Sequence, residues 1–419
     1  MARGRCDLMA GLLDGIRVLE VSSELAAPAG KLLAELGAEV VVVEPPGGDA
    51  SRHTGPYADE AGAREQSIVW LAFNAGKLGV TLDLEHESDR AKFRQLAAAA
   101  DVVLEAEPPG RLAGLGVGSP DLRTANPRLV WASVTPFGPE GAPRAGDPAT
   151  DLTLSAIGGI VWSCGYDDHE LAPVRGSGRQ AYQTASVWAV LGVLTALLER
   201  NRSGEGQHID VSAQAAVNVT TEQATYEYLV GRRDVQRQTG RHAAVDPTGP
   251  VYARSADERW VHTGMPPKLK REYAAMLSWL DDLGLREEFP ESGLLELAVE
   301  QGGINQAKVG EDPLETELFR AGREALNFLA SRLTAYDFFI GAQTRGLATS
   351  IIYSPEETFD DPHFRARSYG EMVRYPRSER DIRYPGPPFL APKAPWRIPR
   401  PAPGIGEHND LLDELTAAE

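Results

Sequence analysis

The stretch GIRVLEVSSELAAPAGKLLAELGAEVVVVE, Gly15 to Glu44, decides the fold. Its opening, GIRVLEV (Gly15–Val21), is a short apolar run of the kind a buried parallel strand requires. PAGKLLAEL (Pro28–Leu36) follows as a helix, with Pro28 in the first turn, where a missing N–H costs nothing, and Gly37 just past the end. AEVVVVE (Ala38–Glu44) is a second strand, rich in β-branched residues. Working outward, VTLDL (Val80–Leu84), a helix near Ser88–Ala99 and DVVLE (Asp101–Glu105) repeat the alternation. A further helix opens at Ser119-Pro120 before RLVWASV (Arg128–Val134). Strands alternating with helices in this way predict an open, doubly wound parallel sheet of the α/β class.

Beyond this sheet, Val187–Leu198 places Val187, Val190, Leu191, Leu194 and Leu198 on one helical face. With Trp188, Val193 and Leu197 elsewhere, the spacing predicts a helix buried on most sides. The apolar run is shorter than the roughly 20 residues a bilayer span needs. HIDVS (His208–Ser212) alternates as a strand, and another helical segment starts near Ala213. From about Gly231 the texture changes to turn-rich and locally basic, and Arg232, Arg233, Arg237 and Arg241 read as an exposed linker rather than as an anion site. ERWVHTGM reads as a strand, and Lys268 to Leu333 as mostly helical. The proline-rich tail from about Arg365 is long enough to predict that it wraps a surface or serves a site.

At 419 residues the chain exceeds one ordinary core and implies two or more domains. A formal charge of −18 argues against general binding to nucleic acid or to an anionic membrane, because phosphates are repelled at long range. An anionic ligand must therefore be met by a few local cations and backbone N–H groups. Cys6 and Cys164 are the two cysteines, far apart, which fits a reducing compartment without a disulfide framework. The start has no apolar run of signal-peptide length, and the expectation is a cytoplasmic protein.

The first strand–helix turn of such a sheet is a natural phosphate site. Here it reads VSSELAAPAG, without G-x-G-x-x-G, which disfavours NAD or FAD. Ala26, Ala27 and Ala29 let a ligand approach the backbone, or serve helix–sheet packing alone. FNAGKLG lacks the upstream glycine and the Ser or Thr of a nucleotide P-loop. YDDHE (Tyr166–Glu170) reads as a solvated turn, so no metal is expected, and His208 in its strand reads as a satisfied structural histidine.

Eight pieces in order carry a resemblance: LDGIRVLEV, GAEVVVVEPPGGDASR, FNAGKLGVTLDL, NPRLVWASVTPFG, ERNRSGEGQHIDVS, DDPHFRAR, RYPGPPF and PAPGIGEHND. Together they resemble the class III CoA-transferase family, which includes formyl-CoA and carnitine CoA-transferases and α-methylacyl-CoA racemases. The resemblance runs from Leu13 to near the C-terminus. It implies a Rossmann-like large domain, 1–220 plus 348–419, with a smaller α+β domain, 221–347, inserted between, and two chains threaded as interlocked rings. It also implies CoA and acyl-CoA as substrates, with no tightly bound cofactor, and a small carboxylic acid as second substrate. Leu25 and Ala26 in the first turn, Arg52 in GGDASR, and Asn74 and Lys77 in FNAGKLG match family positions near CoA, the two cations as phosphate partners.

The family's transferases use an aspartate at the start of the helix that follows RGSGRQ. It attacks the thioester, forms a mixed anhydride and is itself thioesterified by CoA. Counting back from ERNRSGEG, that position falls at Ala181 or Tyr182, or at Gln183 with a one-residue slip, and none of the three is acidic. In the racemase branch a histidine precedes an aspartate, and here Thr150 stands beside Asp151. PPGRLAGLG (Pro108–Gly116) lacks the aromatic and arginine that family members carry around the cofactor. Three readings follow from the resemblance. The chain is an aspartate-lacking subunit paired with a competent paralogue, as in succinyl-CoA-dependent activation of aromatic succinates. Alternatively it acts alone or as a homodimer with another carboxylate, Asp151 or Glu24. In the third reading it binds acyl-CoA or a partner without catalysis.

Overall fold

The computed structural model describes residues 11–58, 67–239, 241–243, 251–264, 267–376 and 378–416. Cys6 lies outside them, and Cys164 is exposed and free. Arg17–Val21 forms β1 and Glu39–Glu44 forms β2, both buried over most of their length. They pair in parallel from Arg17↔Glu39 to Val21↔Val43, with α1 (Ala27–Glu35) as the crossover. Gly37, at φ 106, turns the chain back where a Cβ would lie 2.7 Å from the Gly11 Cα. Then come α2 (Ile68–Asn74), β3 (Leu78–Thr81), α3 (Glu87–Ala98), β4 (Val102–Glu105), α4 (Arg111–Gly114), α5 (Ser119–Ala125) and β5 (Val130–Thr135). After α6 (Asp151–Ile157) and α7 (Gln180–Ser203), β6 (His208–Ser212) adds a sixth strand, followed by α8 (Ala213–Val219).

The six strands are parallel in the order β3-β2-β1-β4-β5-β6. The doubly wound α/β sheet expected from sequence is present. The winding reverses between β1 and β4, and ligands of such sheets sit in the crevice beyond the carboxyl ends of the strands there.

α7 departs from the expected face. Ala181, Ala185, Ala189, Val193 and Ala196 are buried, whereas Val187 (57%), Trp188, Leu191 and Leu198 (72%) are exposed. Small residues let α7 approach β5, β6 and α1 closely, so bulk alone misleads as to which side faces inward. The helix is also longer than its apolar run. At 24 residues it is long and apolar enough to cross a membrane by length and composition, yet one face is packed on the sheet.

Two compact units divide the chain. The first comprises Met1–Gly159, Gly176–Thr220 and Phe359–Glu419, the second Ile160–Arg175 and Thr221–Thr358. The second is α+β, with a three-stranded antiparallel sheet (Tyr252–Arg254, Trp260–His262, Ser350–Ile351). Its helices, including Lys270–Asp282 and Pro313–Arg332, enclose Tyr273, Met276, Trp279, Leu326 and Phe338. Residues 160–175, assigned from sequence to the larger domain, pack within this second unit. The Trp162 indole donates to the Val235 carbonyl at 3.0 Å, and Arg237 donates to His169 and Leu171 carbonyls at 2.8 and 3.1 Å. Arg237 is therefore buried structure rather than exposed linker.

In the first unit the proline-rich tail runs along the free edge of β3. Gly79 N–H donates to His408 Nδ1 at 3.1 Å, and Thr81 N–H to Asn409 Oδ1 at 2.9 Å. This covers an edge that would otherwise offer unpaired backbone groups. The tail is not loop throughout, since Glu371–Tyr375 and Arg380–Tyr384 form a hairpin.

Candidate active site

The turn Ser22–Ala26 leads from β1 into α1, whose N-terminus carries no side-chain cap and no acid in its first turn. Ser23 Oγ accepts from Ala26 N–H at 3.0 Å, and Ser186 of α7 donates to the Leu25 carbonyl at 3.3 Å. The start of α7 thus lies beside the turn. Arg179, which precedes α7, adopts a left-handed conformation (φ 55, ψ 50), and its guanidinium pairs with Glu24 of the turn.

Of the three positions where a family nucleophile is expected, Ala181 is wholly buried, Tyr182 is half-buried and Gln183 is exposed, its amide donating to the Gly178 carbonyl. A carboxylate nevertheless reaches the spot. Asp151, the first residue of α6 and only 7% exposed, accepts from Ala181 N–H at 2.8 Å and Tyr182 N–H at 3.4 Å. It satisfies two of the orphan amides of α7 in the manner of an N-cap. Burial pushes the Tyr182 phenol up, and the nearby Glu24 and Asp151 carboxylates add to this. Asp151→Ala is expected to lower stability by about 1–2 kcal/mol, and Asp151→Asn by less because an acceptor remains. Urea unfolding of the two variants checks the order.

Arg52 and Lys77, expected from sequence to meet phosphates, are placed otherwise. Arg52 is wholly buried, donating to Glu44 through Nε at 2.6 Å and Nη2 at 2.7 Å, and through Nη2 to the Pro403 carbonyl at 2.9 Å. Its guanidinium stacks 3.6 Å from the Trp70 ring centroid. Lys77 is equally buried, and its ammonium donates to Glu20 at 2.8 Å, the Ala27 carbonyl at 3.0 Å and Asn74 Oδ1 at 2.8 Å. Both cations pair with carboxylates carried by strand residues, and among the described residues the buried Arg52 Nη1 has no hydrogen-bond partner. Asn74 likewise orders the loop, donating to the Trp70 carbonyl at 3.2 Å. Ala26 is buried, and Leu25 is partly exposed at the turn.

Burial pushes the Glu20 carboxyl up to about 7 against the opposing pull of Lys77, and burial likewise lowers the Lys77 ammonium. Glu20 fits inside because residue 30 is glycine: a Cβ there would lie 1.7 Å from Glu20 Oε2.

A second group brings His208 and the Pro108–Gly116 segment together with Glu105, Ser133 and Asp210, which the sequence reading does not name as site residues. Along one face of β5 and β6, beside the carboxyl end of β4, lies a cavity of about 220 Å³, bordered by Pro108, Pro109, Trp131, Glu105, His208 and Asp210. Glu105 accepts from the Ser133 hydroxyl, from Trp131 Nε1 at 3.4 Å and from Glu107 N–H at 2.7 Å, and burial raises its carboxyl. His208 Nε2 lies 2.9 Å from Ser133 Oγ, so this histidine has a partner yet also borders a cavity. Burial lowers His208 and raises Asp210. The signal was available: a polar residue ending a buried strand beside the crevice is where such sheets keep functional groups. Arg111 of the PPGRLAGLG segment does not border this cavity and pairs instead with Glu107 and Glu85, at 2.5 and 3.0 Å.

Six parallel strands whose winding reverses between β1 and β4, with helices as crossovers, define a doubly wound α/β protein. The chain belongs to CoA-transferase family III, whose model matches residues 13–409. It is 33% identical to the succinyl-CoA:(R)-benzylsuccinate CoA-transferase subunit BbsE of Thauera aromatica, over 94% of this chain and 91% of that one. It is 28% identical to the succinyl-CoA:mesaconate CoA-transferase of Haloarcula hispanica, over 96% of each. Among solved structures, a CAIB/BAIF family protein from Brucella suis matches its fold with a TM-score of 0.78, at 24% identity, over 97% of this chain and 100% of that one.

Proposed function

We propose that this chain is the aspartate-lacking subunit of a heteromeric class III CoA-transferase, which moves CoA from succinyl-CoA or a similar thioester to a dicarboxylic acid. The observation that carries the reading is the start of α7. Ala181, Tyr182 and Gln183 offer no carboxylate, and the amides of Ala181 and Tyr182 are taken by Asp151. Similarity to a protein named as a subunit supports the same reading, as do relatives named for succinyl-CoA. The exposed row Val187, Leu191 and Leu198 on α7 suits burial against a paralogous chain, threaded or otherwise.

In the complex, an aspartate of the paralogue attacks the thioester carbonyl, CoA leaves as thiolate, and a mixed anhydride forms. The thiolate then attacks the enzyme's acyl carbon, releasing the donor acid and leaving an enzyme thioester. The acceptor carboxylate repeats both steps in reverse and restores the aspartate. CoA is substrate throughout, and no resident cofactor is needed. A second reading, catalysis by this chain alone, is favoured by Asp151, whose carboxylate stands at the amides beside the expected nucleophile position.

Co-expression with a family relative bearing aspartate at this loop decides between them. The expected result is a mixed complex by native mass spectrometry that turns over succinyl-CoA with a dicarboxylate, while the purified single chain does neither and forms no covalent adduct. Turnover by the single chain, with an acyl or CoA adduct on the Asp151 peptide, would establish the second reading instead. An inert mixed complex would leave thioester binding alone.

A further inference from the structure

We infer that Arg179 is the specificity residue that receives the second carboxylate of a dicarboxylate substrate, displacing Glu24 from its guanidinium. The inference rests on the transferase reading above, with this chain holding the acid while the attacking carboxylate comes from the paralogue or, in the second reading, from Asp151.

The distribution of charge points to Arg179. A substrate with a carboxylate remote from its reacting end needs a cation within the crevice, and the protein as a whole repels anions. Arg52 and Lys77 are wholly buried and bound to Glu44 and Glu20, so neither is open to solvent. Arg179 differs: its side chain and that of Glu24 are each 28% exposed, beside the turn and the first residues of α7. Glu24 takes the Nε donor, and among the described residues no hydrogen bond engages either Nη. A guanidinium presents this fork to one carboxylate in two parallel bonds, a geometry a lysine cannot reproduce.

The backbone supports the choice. The residue before α7 takes a left-handed conformation, yet it is an arginine, although Gly176 and Gly178 stand immediately before it. A glycine would adopt that conformation without cost, so the side chain is held there at some expense to the fold. Glu24 is its ion-pair partner, and the charges of Arg179, Glu24 and Asp151 all act on the phenol of Tyr182, which burial raises. A monocarboxylate held by its reacting end has no second anion to set against Glu24. A dicarboxylate has one, and gains the exchangeable ion pair by replacing Glu24.

Isothermal titration of the full chain with succinate, butyrate and CoA tests this, with Arg179→Gln, Arg179→Lys and Glu24→Gln compared and thermal melts verifying that each is folded. Succinate is expected to bind at least about tenfold more tightly than butyrate, a margin that Arg179→Gln abolishes and Arg179→Lys restores in part. Glu24→Gln is expected to tighten succinate, because the internal competitor loses its charge, and to leave butyrate unchanged. CoA affinity is expected to be the same in all four proteins. If CoA binds but the succinate margin survives Arg179→Gln, or never exists, the inference is wrong while the transferase reading stands. If CoA itself fails to bind, the transferase reading falls as well.

Discussion

Arg52→Met is expected to lower the free energy of unfolding by about 3–5 kcal/mol, because it strands a wholly buried carboxylate. Glu44 is fully enclosed and accepts from Arg52 Nε and Nη2 and from Asp49 N–H at 2.9 Å. Methionine fills the space over Trp70 but supplies no charge, so Glu44 must take a proton or admit water. The Pro403 carbonyl loses a donor too, although Trp70 Nε1 still reaches it at 3.0 Å. Arg52→Met with Glu44→Leu is expected to recover most of the loss, since exchanging both members of a buried pair for apolar side chains is often neutral. Urea unfolding of the two variants against the parent supplies the measurement. The same experiment separates two roles for this arginine. A phosphate ligand would weaken CoA binding and leave stability alone, whereas a structural pair does the reverse. A loss under about 1 kcal/mol would mean that water reaches the pair in solution.

The sheet was legible because its strands are apolar runs bounded by turn residues, and because the intervening helices start and stop on recognisable signals. RVLEV and EVVVVE also held a clue that bulk patterning passes over. Each places a glutamate within or at the end of a buried run, at Glu20 and Glu44, and a buried carboxylate demands a cation from elsewhere in the chain. Lys77 and Arg52 answer that demand, a pairing that the motifs around them do not reveal. The face of α7 was not legible, since counting large apolar residues finds the exposed side of a helix that packs through alanines. Nor was the path of the tail, whose contacts with β3 join residues more than three hundred positions apart. At the site, Asp151 was visible as an acid of interest, but its bond to the α7 amides depends on three-dimensional placement.

Lys77→Met and Glu20→Gln are expected to show stability losses of opposite pH slope, each reaching about 3–5 kcal/mol at its unfavourable end. Without Lys77, the Glu20 carboxyl rises beyond its present value of about 7, since the lysine was the group holding it down. A carboxyl raised on folding binds its proton more tightly in the folded state. Its contribution is therefore whole below the unfolded value of 4.5 and is lost as pH climbs through the folded one. The deficit of Lys77→Met should accordingly be smallest near pH 5 and deepest near pH 8. Without Glu20, the Lys77 ammonium falls further below its ordinary 10.5, because burial acts unopposed by its main partner. A lysine lowered on folding favours the folded state above its unfolded value and loses that advantage as pH drops through the folded one, so Glu20→Gln should weaken toward acid. Urea midpoints between pH 5 and 9 give both slopes, and parallel profiles would contradict a coupled buried pair. The consequence reaches the crevice, because Lys77 also holds the Ala27 carbonyl in the first turn of α1. Methionine holds that carbonyl at no pH, so the Lys77→Met protein should bind CoA more weakly than the parent throughout, and most weakly near pH 8, where the charged Glu20 adds its own disturbance.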